Sequence, residues 1–355
     1  MKIGILTFHW ATNYGAILQS YALQHTLINM GHDVEIINYK PKNYDLGVGS
    51  FFHNKRIRVF FKHLKECIKE RALSKFREAN LRVSRRLYTV KEVEAIANNY
   101  DILISGSDQV MNPSFLCWGE EKHASSAYFL GFNYSGKRVT YAVSFGCTTY
   151  PDYASEEARS HLAKFDAISV REQSGVDIVK YLGREDAIVV PDPTALLDSA
   201  TYHTIANQST KSLPAEYGYL FFIRNIEERI PQLRSILPKN IVVNNSVSDY
   251  TMGSWLKSIA NASYVVTDSF HAMMMAIKFR KPFAVVTNLK GNVEMNDRFY
   301  SLLGRLGLSD RIVYKEDIAT LPEIVERPID WPKIETLMAE YGEIGREYLR
   351  SVIIR

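Results

Sequence analysis

Residues 3–39, IGILTFHWATNYGAILQSYALQHTLINMGHDVEIINY, contain the pattern that decides the fold class. Ile3–Phe8 is a short apolar run that ends in polar residues, which is typical of a buried strand. A predicted turn at Asn13–Gly15 leads into a predicted helix over Ala16–Met30, and Val34–Tyr39 is the next predicted strand. A strand, a helix and a second strand in this order form a βαβ unit, which indicates a parallel sheet.

The alternation of strands and helices continues along the chain and restarts after the polar stretch Asp198–Glu216. We therefore predict two Rossmann-like, doubly wound α/β domains facing a cleft, over residues 1–200 and 213–330. Residues 331–355 carry an amphipathic stripe, which predicts a C-terminal helix that packs on one domain or bridges both. Ligands of such sheets bind beyond the carboxyl ends of the strands. The further predicted strands are Ile102–Ser105, Val139–Ser144, Ala167–Val170, Ile188–Val190, Tyr217–Ile223, Ile241–Val243, Tyr264–Thr267 and Phe283–Val286.

The composition places the chain among globular proteins. Hydrophobic residues make up 46% and charged residues 23%, which argues against a disordered or fibrous protein. No apolar run approaches the roughly 18 residues of a membrane span, and the N-terminus does not have the pattern of a secretory signal. The three cysteines, Cys67, Cys117 and Cys147, lack the spacing of a metal site, which indicates reduced thiols. We expect a cytoplasmic protein.

Positive charge is concentrated in one segment. The net charge of the chain is +4, but Lys55–Lys91 contains 13 Lys and Arg against 3 Glu. Residues 55–80 have apolar residues at helical spacing and predict a basic amphipathic helix. Such a helix suits peripheral contact with an anionic membrane surface at the inner face of the plasma membrane, or it is a solvated helix of the first domain. Nucleic-acid binding is disfavoured because the segment lacks an aromatic–basic motif.

The segment that ends in His271 is the strongest local signal for chemistry. The apolar run Tyr264–Val266 is followed by Thr267, Asp268 and Ser269, residue types that cap helices, and a helix is predicted to begin near His271. Backbone N–H groups at a helix start bind anions, and an imidazole beside them can donate a proton. The alternative is a histidine that makes structural hydrogen bonds only.

Two further polar residues follow predicted strands of the first domain. Arg171 closes the strand Ala167–Val170, where a guanidinium suits bidentate capture of a phosphate or carboxylate. The alternative for Arg171 is a salt bridge with Glu172 or another acid. Asp108 stands in the small polar loop Ser105–Gln109, where a carboxylate can orient or deprotonate a hydroxyl group or form a structural turn.

Other sites and cofactors find little support. Arg298 and Arg224 are candidates for additional positive charge in the cleft, and each has a surface or packing role as the alternative. Asn13–Gly15 resembles a phosphate-binding first turn only weakly, because G-x-G-x-x-G is absent, and the chain has no P-loop lysine. No H-E-x-x-H, paired-cysteine or G-x-S-x-G pattern occurs. The sequence therefore favours neither a dinucleotide, ATP or metal site nor an α/β-hydrolase.

A series of short motifs runs through the chain, and their content and order resemble the polysaccharide pyruvyl transferase family over nearly its whole length. One motif alone would be weak evidence, whereas the ordered series is specific for the family. The motifs are GILTF (4–8), NYGAILQ (13–19), YALQ (21–24), GSDQV (106–110), NP (112–113), SFG (144–146), ISVRE (168–172), VPDPT (190–194), TDSFH (267–271), SLL (301–303) and LGL (306–308).

The resemblance implies a GT-B-like fold and the transfer of a pyruvyl group from phosphoenolpyruvate to a sugar of a surface polysaccharide. The reaction forms a ketal across two hydroxyl groups, releases phosphate and requires no metal or cofactor. By position, His271 is implied as the general acid, Arg171 as a donor ligand and Asp108 as a hydroxyl base. The other implied cleft residues are Asn13, Tyr14, Gly15 and Ser107 on the acceptor side and Asp268 and Ser269 on the donor side.

The chain departs from some relatives close to His271. Ser269 stands where those relatives have an arginine, and Ala272 stands where many others have glycine. The missing arginine leaves the second counter-charge of the donor unassigned, and we expect Arg298, or else Arg224, to supply it. Two alternatives remain open from the sequence: a nucleotide-sugar glycosyltransferase of the same fold, and a non-catalytic relative. A polyprenyl-diphosphate-linked acceptor would give the basic helix a reason to contact the membrane.

Overall fold

The computed structural model describes residues 1–41, 44, 57–116, 126–223, 230–238, 240–243, 250–287 and 296–353. The chain divides into two compact units. Unit 1 comprises Met1–Glu66, Arg77–Leu196 and Tyr341–Arg355, and unit 2 comprises Cys67–Phe76 and Leu197–Glu340. The chain therefore enters unit 2 twice, and unit 1 is made of three separate segments of the chain.

Unit 1 is built on a parallel sheet. Within the described residues its strands run in the order β2-β1-β3-β4-β5-β6. The first strand pairs with both neighbours at Ile3, which faces Val34 on one side and Ile102 on the other, and all three side chains are completely buried. Continuous apolar runs of this kind are typical of a parallel sheet covered on both faces. The strands are β1 (Lys2–Leu6), β2 (Asp33–Ile36), β3 (Ile102–Asp108), β4 (Lys137–Val143), β5 (Ser169–Val170) and β6 (Ile188–Val189).

The first helix is buried along almost its whole length and begins earlier than predicted. It starts at Tyr14 because the side-chain oxygen of Asn13 accepts hydrogen bonds from the backbone N–H groups of Gly15 (2.8 Å) and Ala16 (3.4 Å). The predicted turn at Asn13–Gly15 is therefore wrong, and Asn13 is a helix N-cap. The helices that begin in unit 1 are α1 (Tyr14–Asn29), α2 (Ile57–Asn80), α3 (Val90–Ala97), α4 (Pro113–Leu116), α5 (Asp152–Leu162) and α6 (Gln173–Tyr181).

Unit 2 repeats this sheet topology. In the part of the unit that the structure describes, the strand order is β11-β10-β9-β7-β8, and every pair is parallel. Read from β8, the order β8-β7-β9-β10-β11 corresponds strand by strand to β2-β1-β3-β4-β5 of unit 1. The strands are β7 (Gly218–Phe221), β8 (Ile241–Val243), β9 (Tyr264–Thr267), β10 (Phe283–Thr287) and β11 (Ile312–Tyr314), and the helices are α7 (Ser199–Asn207), α8 (Ile230–Ile236), α9 (Met252–Ala260), α10 (Phe270–Lys278), α11 (Asp297–Leu306) and α12 (Leu321–Glu326).

The predicted fold class is confirmed, because each unit contains a parallel α/β sheet and the C-terminal segment is a long helix. The chain passes from unit 1 to unit 2 between Leu196 and Leu197. It returns to unit 1 at Tyr341, within the last helix, α13 (Trp331–Ile353). The predicted basic helix is present as α2, although the side chains of residues 57–63 lie outside the described part of the chain. No helix among the described residues has both the length and the hydropathy for crossing a bilayer.

The second half of α13 packs closely against the sheet of unit 1. The hydroxyl of Tyr348 donates to the carbonyl of Thr140 (2.9 Å), and Arg346 donates to the carbonyl of Leu196 (2.8 Å). Gly345 makes the approach possible, because a Cβ at this position would overlap the hydroxyl of the buried Tyr141. A residue without a side chain is therefore required on this face of the helix.

We expect Gly345→Ala to lower the free energy of unfolding by about 1–3 kcal/mol, since the new methyl group overpacks a buried contact. The matched control is Gly304→Ala in α11, where the glycine is exposed and the nearest atom to an added Cβ is 3.9 Å away. There, alanine should stabilise the helix by about 0.5–1 kcal/mol. Urea unfolding of both variants checks the prediction, and equal effects at the two positions would contradict it.

Candidate active site

The strand order places a topological switch at the carboxyl end of each sheet. The first strand lies between the second and third strands, β1 between β2 and β3 and β7 between β8 and β9. Chain connections leave the first and third strands toward opposite sides of the sheet, which opens a crevice where ligands of such folds bind. Ser107, Asp108, Asn13 and His271 lie at the ends of these strands or shortly after them. Each unit thus places predicted site residues at its own switch.

His271 occupies the first turn of a helix at the switch of unit 2. It is the second residue of α10 and only 7% exposed, and its ring lies 5.4 Å from that of Phe270, nearly at a right angle. Ser269 is the N-cap and accepts a hydrogen bond from the N–H of Ala272 (3.4 Å). The predicted order of strand, cap and helix is confirmed. The imidazole therefore stands among backbone N–H groups that favour an anion.

Two side chains join β7 to β9 at this switch. Thr267 Oγ1 donates to the carbonyl of Phe221 and accepts from the N–H of Ser269 (2.9 Å). Asp268 Oδ1 accepts from the N–H of Ile223, at 2.6 Å. These contacts fix the backbone that leads into α10. A role of Asp268 and Ser269 in binding the donor stays a prediction.

The structure brings Arg298 close to the aromatic ring that packs on His271. Arg298 is the second residue of α11, and its guanidinium carbon lies 5.9 Å from the ring centre of Phe270 and 5.4 Å from that of Phe299. Phe270 therefore contacts both the imidazole and the guanidinium. Arg224, the other candidate, lies outside the described residues.

Arg171 is enclosed by three carboxylates in unit 1. Its side chain is 2% exposed, and its nitrogen atoms lie 2.9 Å from Asp192 Oδ2, 3.4 Å from Glu172 Oε2 and 3.9 Å from Asp108 Oδ1. Burial alone would lower the pKa of Arg171, but the carboxylates of Glu172, Asp192 and Asp108 outweigh it and raise the pKa above its ordinary value. The contacts favour the salt bridge that the sequence left open. We call these four residues the carboxylate cage.

The carboxylate cage is itself held by neighbouring hydroxyl groups. Thr194 donates from its N–H (3.0 Å) and its hydroxyl (2.6 Å) to Asp192, and Ser107 Oγ lies 3.5 Å from the same carboxylate. Ser144 donates to Glu172. The sequence pointed to Glu172 as an alternative partner of Arg171 but gave no role to Asp192, although Asp192 occurs in the quoted motif VPDPT. Its position at the carboxyl end of β6 was the available signal.

The backbone near Asp108 is strained. Asp108 has a φ of 68°, and Ala142 on the neighbouring strand β4 has a φ of 48°, both in the left-handed region that favours glycine. Ser107 Oγ, between them, donates to the carbonyl of Ala142 (3.2 Å). A Cβ at Gly106 would lie 2.6 Å from the carbonyl oxygen of Tyr141. Strain of this kind costs about 1–3 kcal/mol per residue and occurs preferentially at functional sites.

The predicted acceptor-side residues differ in accessibility. Asn13 is exposed, whereas Tyr14 and Gly15 are buried in the first turn of α1. Ser107 is completely buried and bonds to its neighbours as described above. Within unit 1, Asn13 and the partly exposed Asp108 are therefore the members of this group with side chains accessible to a ligand.

A family model described as polysaccharide pyruvyl transferase matches residues 13–290. The chain belongs to the polysaccharide pyruvyl transferase family. The match includes the carboxylate cage and His271. No curated protein matches the chain by sequence.

Solved structures show the fold to be GT-B-like. UDP-GlcNAc 2-epimerase from Methanocaldococcus jannaschii, in complex with UDP-GlcNAc and UDP, has 14% identity and a TM-score of 0.56, with 100% of each chain covered. A second similar structure is a putative UDP-N-acetylglucosamine 2-epimerase from Listeria monocytogenes, with 12% identity, a TM-score of 0.50, and 99% of this chain and 95% of that chain covered. At these identities the likeness shows the fold alone.

Proposed function

We propose that this family member transfers a pyruvyl group from phosphoenolpyruvate to a sugar of a surface-polysaccharide precursor. Two hydroxyl oxygens of the sugar form bonds to C2 of the donor, the C2–O bond to phosphate breaks, and C3 gains a proton and becomes a methyl group. The observation that carries the proposal is the position of His271 in the first turn of α10, in contact with the ring of Phe270, which the partly exposed Arg298 also approaches.

His271 is the proposed general acid. Proton transfer from its imidazole to the C3 methylene leaves positive charge at C2, which a sugar hydroxyl then attacks. The N–H groups at the start of α10 and the guanidinium of Arg298 are suited to the phosphate and carboxylate of the donor.

The electrostatics of unit 1 support its assignment to the acceptor. The carboxylate cage contains three carboxylates and one guanidinium, and a trianionic donor would be repelled by this excess of negative charge. Neutral sugar hydroxyls face no such penalty. Asp108 is the proposed base for a hydroxyl proton, and Arg171 serves this proposal by holding the carboxylates in place.

The test is a measurement of products from phosphoenolpyruvate with a panel of galactose, glucose and N-acetylhexosamine glycosides. We expect acceptor-dependent release of phosphate and one new ketal methyl signal by proton NMR. A parallel arm supplies nucleotide sugars with the same acceptors. Sugar transfer in that arm, without phosphate release in the first, would replace the proposal with a glycosyltransferase. Donor binding without turnover of any acceptor would indicate a non-catalytic relative.

We expect Arg298→Ala to raise the KM for phosphoenolpyruvate about tenfold and to change kcat little, because one charge-assisted contact to the donor is lost. Arg305→Ala is the matched control, since Arg305 is an exposed arginine of the same helix. Steady-state kinetics with varied donor concentration give both constants. An unchanged KM in Arg298→Ala would remove Arg298 from the donor site.

A further inference from the structure

An aromatic cluster surrounds the loop that joins β1 to α1 in unit 1. The rings of Trp10 and Tyr44, both partly exposed, lie 5.0 Å apart with an angle of 47° between their planes. Beneath them Phe8 lies 5.6 Å from Trp10 and 4.9 Å from the buried Tyr128. We call Trp10 and Tyr44 the aromatic shelf.

The loop holds Trp10 in one orientation. Its indole N–H donates to the hydroxyl of Tyr128 (3.1 Å). The preceding residue, His9, is 2% exposed, and its two ring nitrogens lie 3.1 Å from the carbonyl of Thr7 and 3.1 Å from the side-chain oxygen of Asn38. Because these contacts fix both sides of the loop, a ligand would meet a preorganised aromatic surface.

The surroundings of the shelf are cationic. The ammonium of Lys40 lies 5.5 Å from the ring centre of Trp10, and Arg86 donates to the carbonyl of Lys40 (3.2 Å). Burial, with smaller contributions from the charges of Arg77 and Arg86, lowers the pKa of His9 to about 4, so this histidine is neutral at pH 7. Cationic groups thus lie beside the shelf, whereas the carboxylates of the carboxylate cage lie on or shortly after β3, β5 and β6.

The shelf is connected to the proposed acceptor side. Thr7, the first residue after β1, accepts a hydrogen bond from Gln19 Nε2 (2.8 Å) and donates to the carbonyl of Ser107 (3.3 Å). Ser107 immediately precedes Asp108. A sugar lying on Trp10 would therefore meet the same carboxyl edge of the sheet that carries the proposed hydroxyl base.

We propose that Trp10 and Tyr44 bind a pyranose ring of the acceptor and that Lys40 binds an anionic group, phosphate or carboxylate, on that saccharide. A pyranose presents an apolar C–H face, and Trp and Tyr supply rigid, amphipathic area for such a face. A lysine ammonium binds phosphate or carboxylate as a point charge. The inference depends on the proposed function only in identifying this saccharide as the acceptor.

The test measures binding of small saccharides by saturation-transfer NMR and titration, without turnover. The probes are methyl glucoside, methyl glucuronide and glucose 1-phosphate, with the galactose series beside them. We expect the anionic probes to bind about tenfold more tightly than the neutral methyl glycosides, because one charge-assisted contact contributes about that difference in affinity. The tighter of the two anionic probes identifies phosphate or carboxylate as the group recognised.

Variants separate the two contributions. Trp10→Ala and Tyr44→Ala should each lower the affinity for all probes. Lys40→Gln should lower only the affinity for the anionic probes, to that for the methyl glycosides. The controls Tyr181→Ala and Lys180→Gln replace exposed residues of α6, which connects β5 to β6 at the opposite end of the unit 1 sheet from β2 and β1, and they should change nothing. Tyr44→Ala keeps the Trp10–Tyr128 hydrogen bond and remains informative if Trp10→Ala does not fold.

Two results would overturn the shelf. One is unchanged binding of all probes to both shelf variants. The other is no binding of any probe to the wild type at a probe concentration of about 50 mM, because ordinary weak ligands bind with millimolar dissociation constants. Equal affinity of charged and neutral probes would overturn the role of Lys40. Binding that depends on Trp10, without phosphate release from phosphoenolpyruvate, would leave the shelf intact and reject pyruvyl transfer. Phosphate release by the wild type, with an unchanged acceptor KM in Trp10→Ala, would support pyruvyl transfer and overturn the shelf.

Discussion

His271→Ala should lower kcat for acceptor-dependent phosphate release by about 10²–10⁴-fold, the usual contribution of a positioned general acid. The KM for phosphoenolpyruvate should change only a few-fold, because the N–H groups of α10 and Arg298 remain to bind the donor. His271→Gln should be equally inactive, since an amide keeps a hydrogen-bond donor but supplies no proton. The two variants together separate proton transfer from simple hydrogen bonding.

The control for this experiment is His203→Ala, which removes an exposed histidine of unit 2 whose ring packs on Phe279. It should retain full activity. Thermal unfolding of all three variants excludes a loss of folded protein as the cause. Phosphate release by His271→Ala at more than about a tenth of the wild-type rate would be inconsistent with general-acid catalysis by this residue.

Arg171→Met should lower the free energy of unfolding by about 3–5 kcal/mol, because it removes the guanidinium from three carboxylates in a buried site. Asp192→Asn should cost less, about 1–2 kcal/mol, since the amide oxygen can still accept from Thr194 and two carboxylates remain for Arg171. Arg350→Met, which breaks an exposed ion pair with Glu343, should cost at most about 1 kcal/mol.

The pH dependence of Arg171→Met identifies the cause. Buried carboxylates without their counter-ion bind protons more readily in the folded than in the unfolded chain, so protonation stabilises the folded state. The deficit relative to the wild type should therefore shrink as the pH falls from about 7 to about 5 and should be largest at neutral pH. Urea unfolding at several pH values measures it. A deficit that does not depend on pH would point to lost packing instead of unpaired charge.

Local sequence patterns predicted the presence of the strands and helices better than the residues at which they begin and end. The run from Tyr264 to His271 contains its own strand, cap and helix signals, and the structure has all three. Asn13 was ambiguous because a short polar side chain can bond to nearby N–H groups in a turn or at a helix start. In the structure, α1 begins at Tyr14 and Asn13 accepts from the N–H groups of Gly15 and Ala16, which decides for the helix start.

The carboxylate cage shows why long-range contacts escaped prediction. Asp108, Arg171 and Asp192 follow different strands, and the sequence does not say which strands are neighbours or which side chains point toward each other. Arg171 read alone suits an anion in solution as well as a carboxylate of its own protein. No pattern in the sequence distinguished Trp10, which follows an apolar strand as many core aromatic residues do.

The division of α13 between the units has a consequence for synthesis of the protein. Unit 1 contains β1 and also residues 341–353, which the ribosome produces only after all of unit 2. Its sheet lacks the close contact at Gly345 while all of unit 2 is being made. We therefore expect the nascent chain to expose the Tyr141 surface until residues 341–353 have been made, and folding factors that bind apolar surface would act on it during that interval.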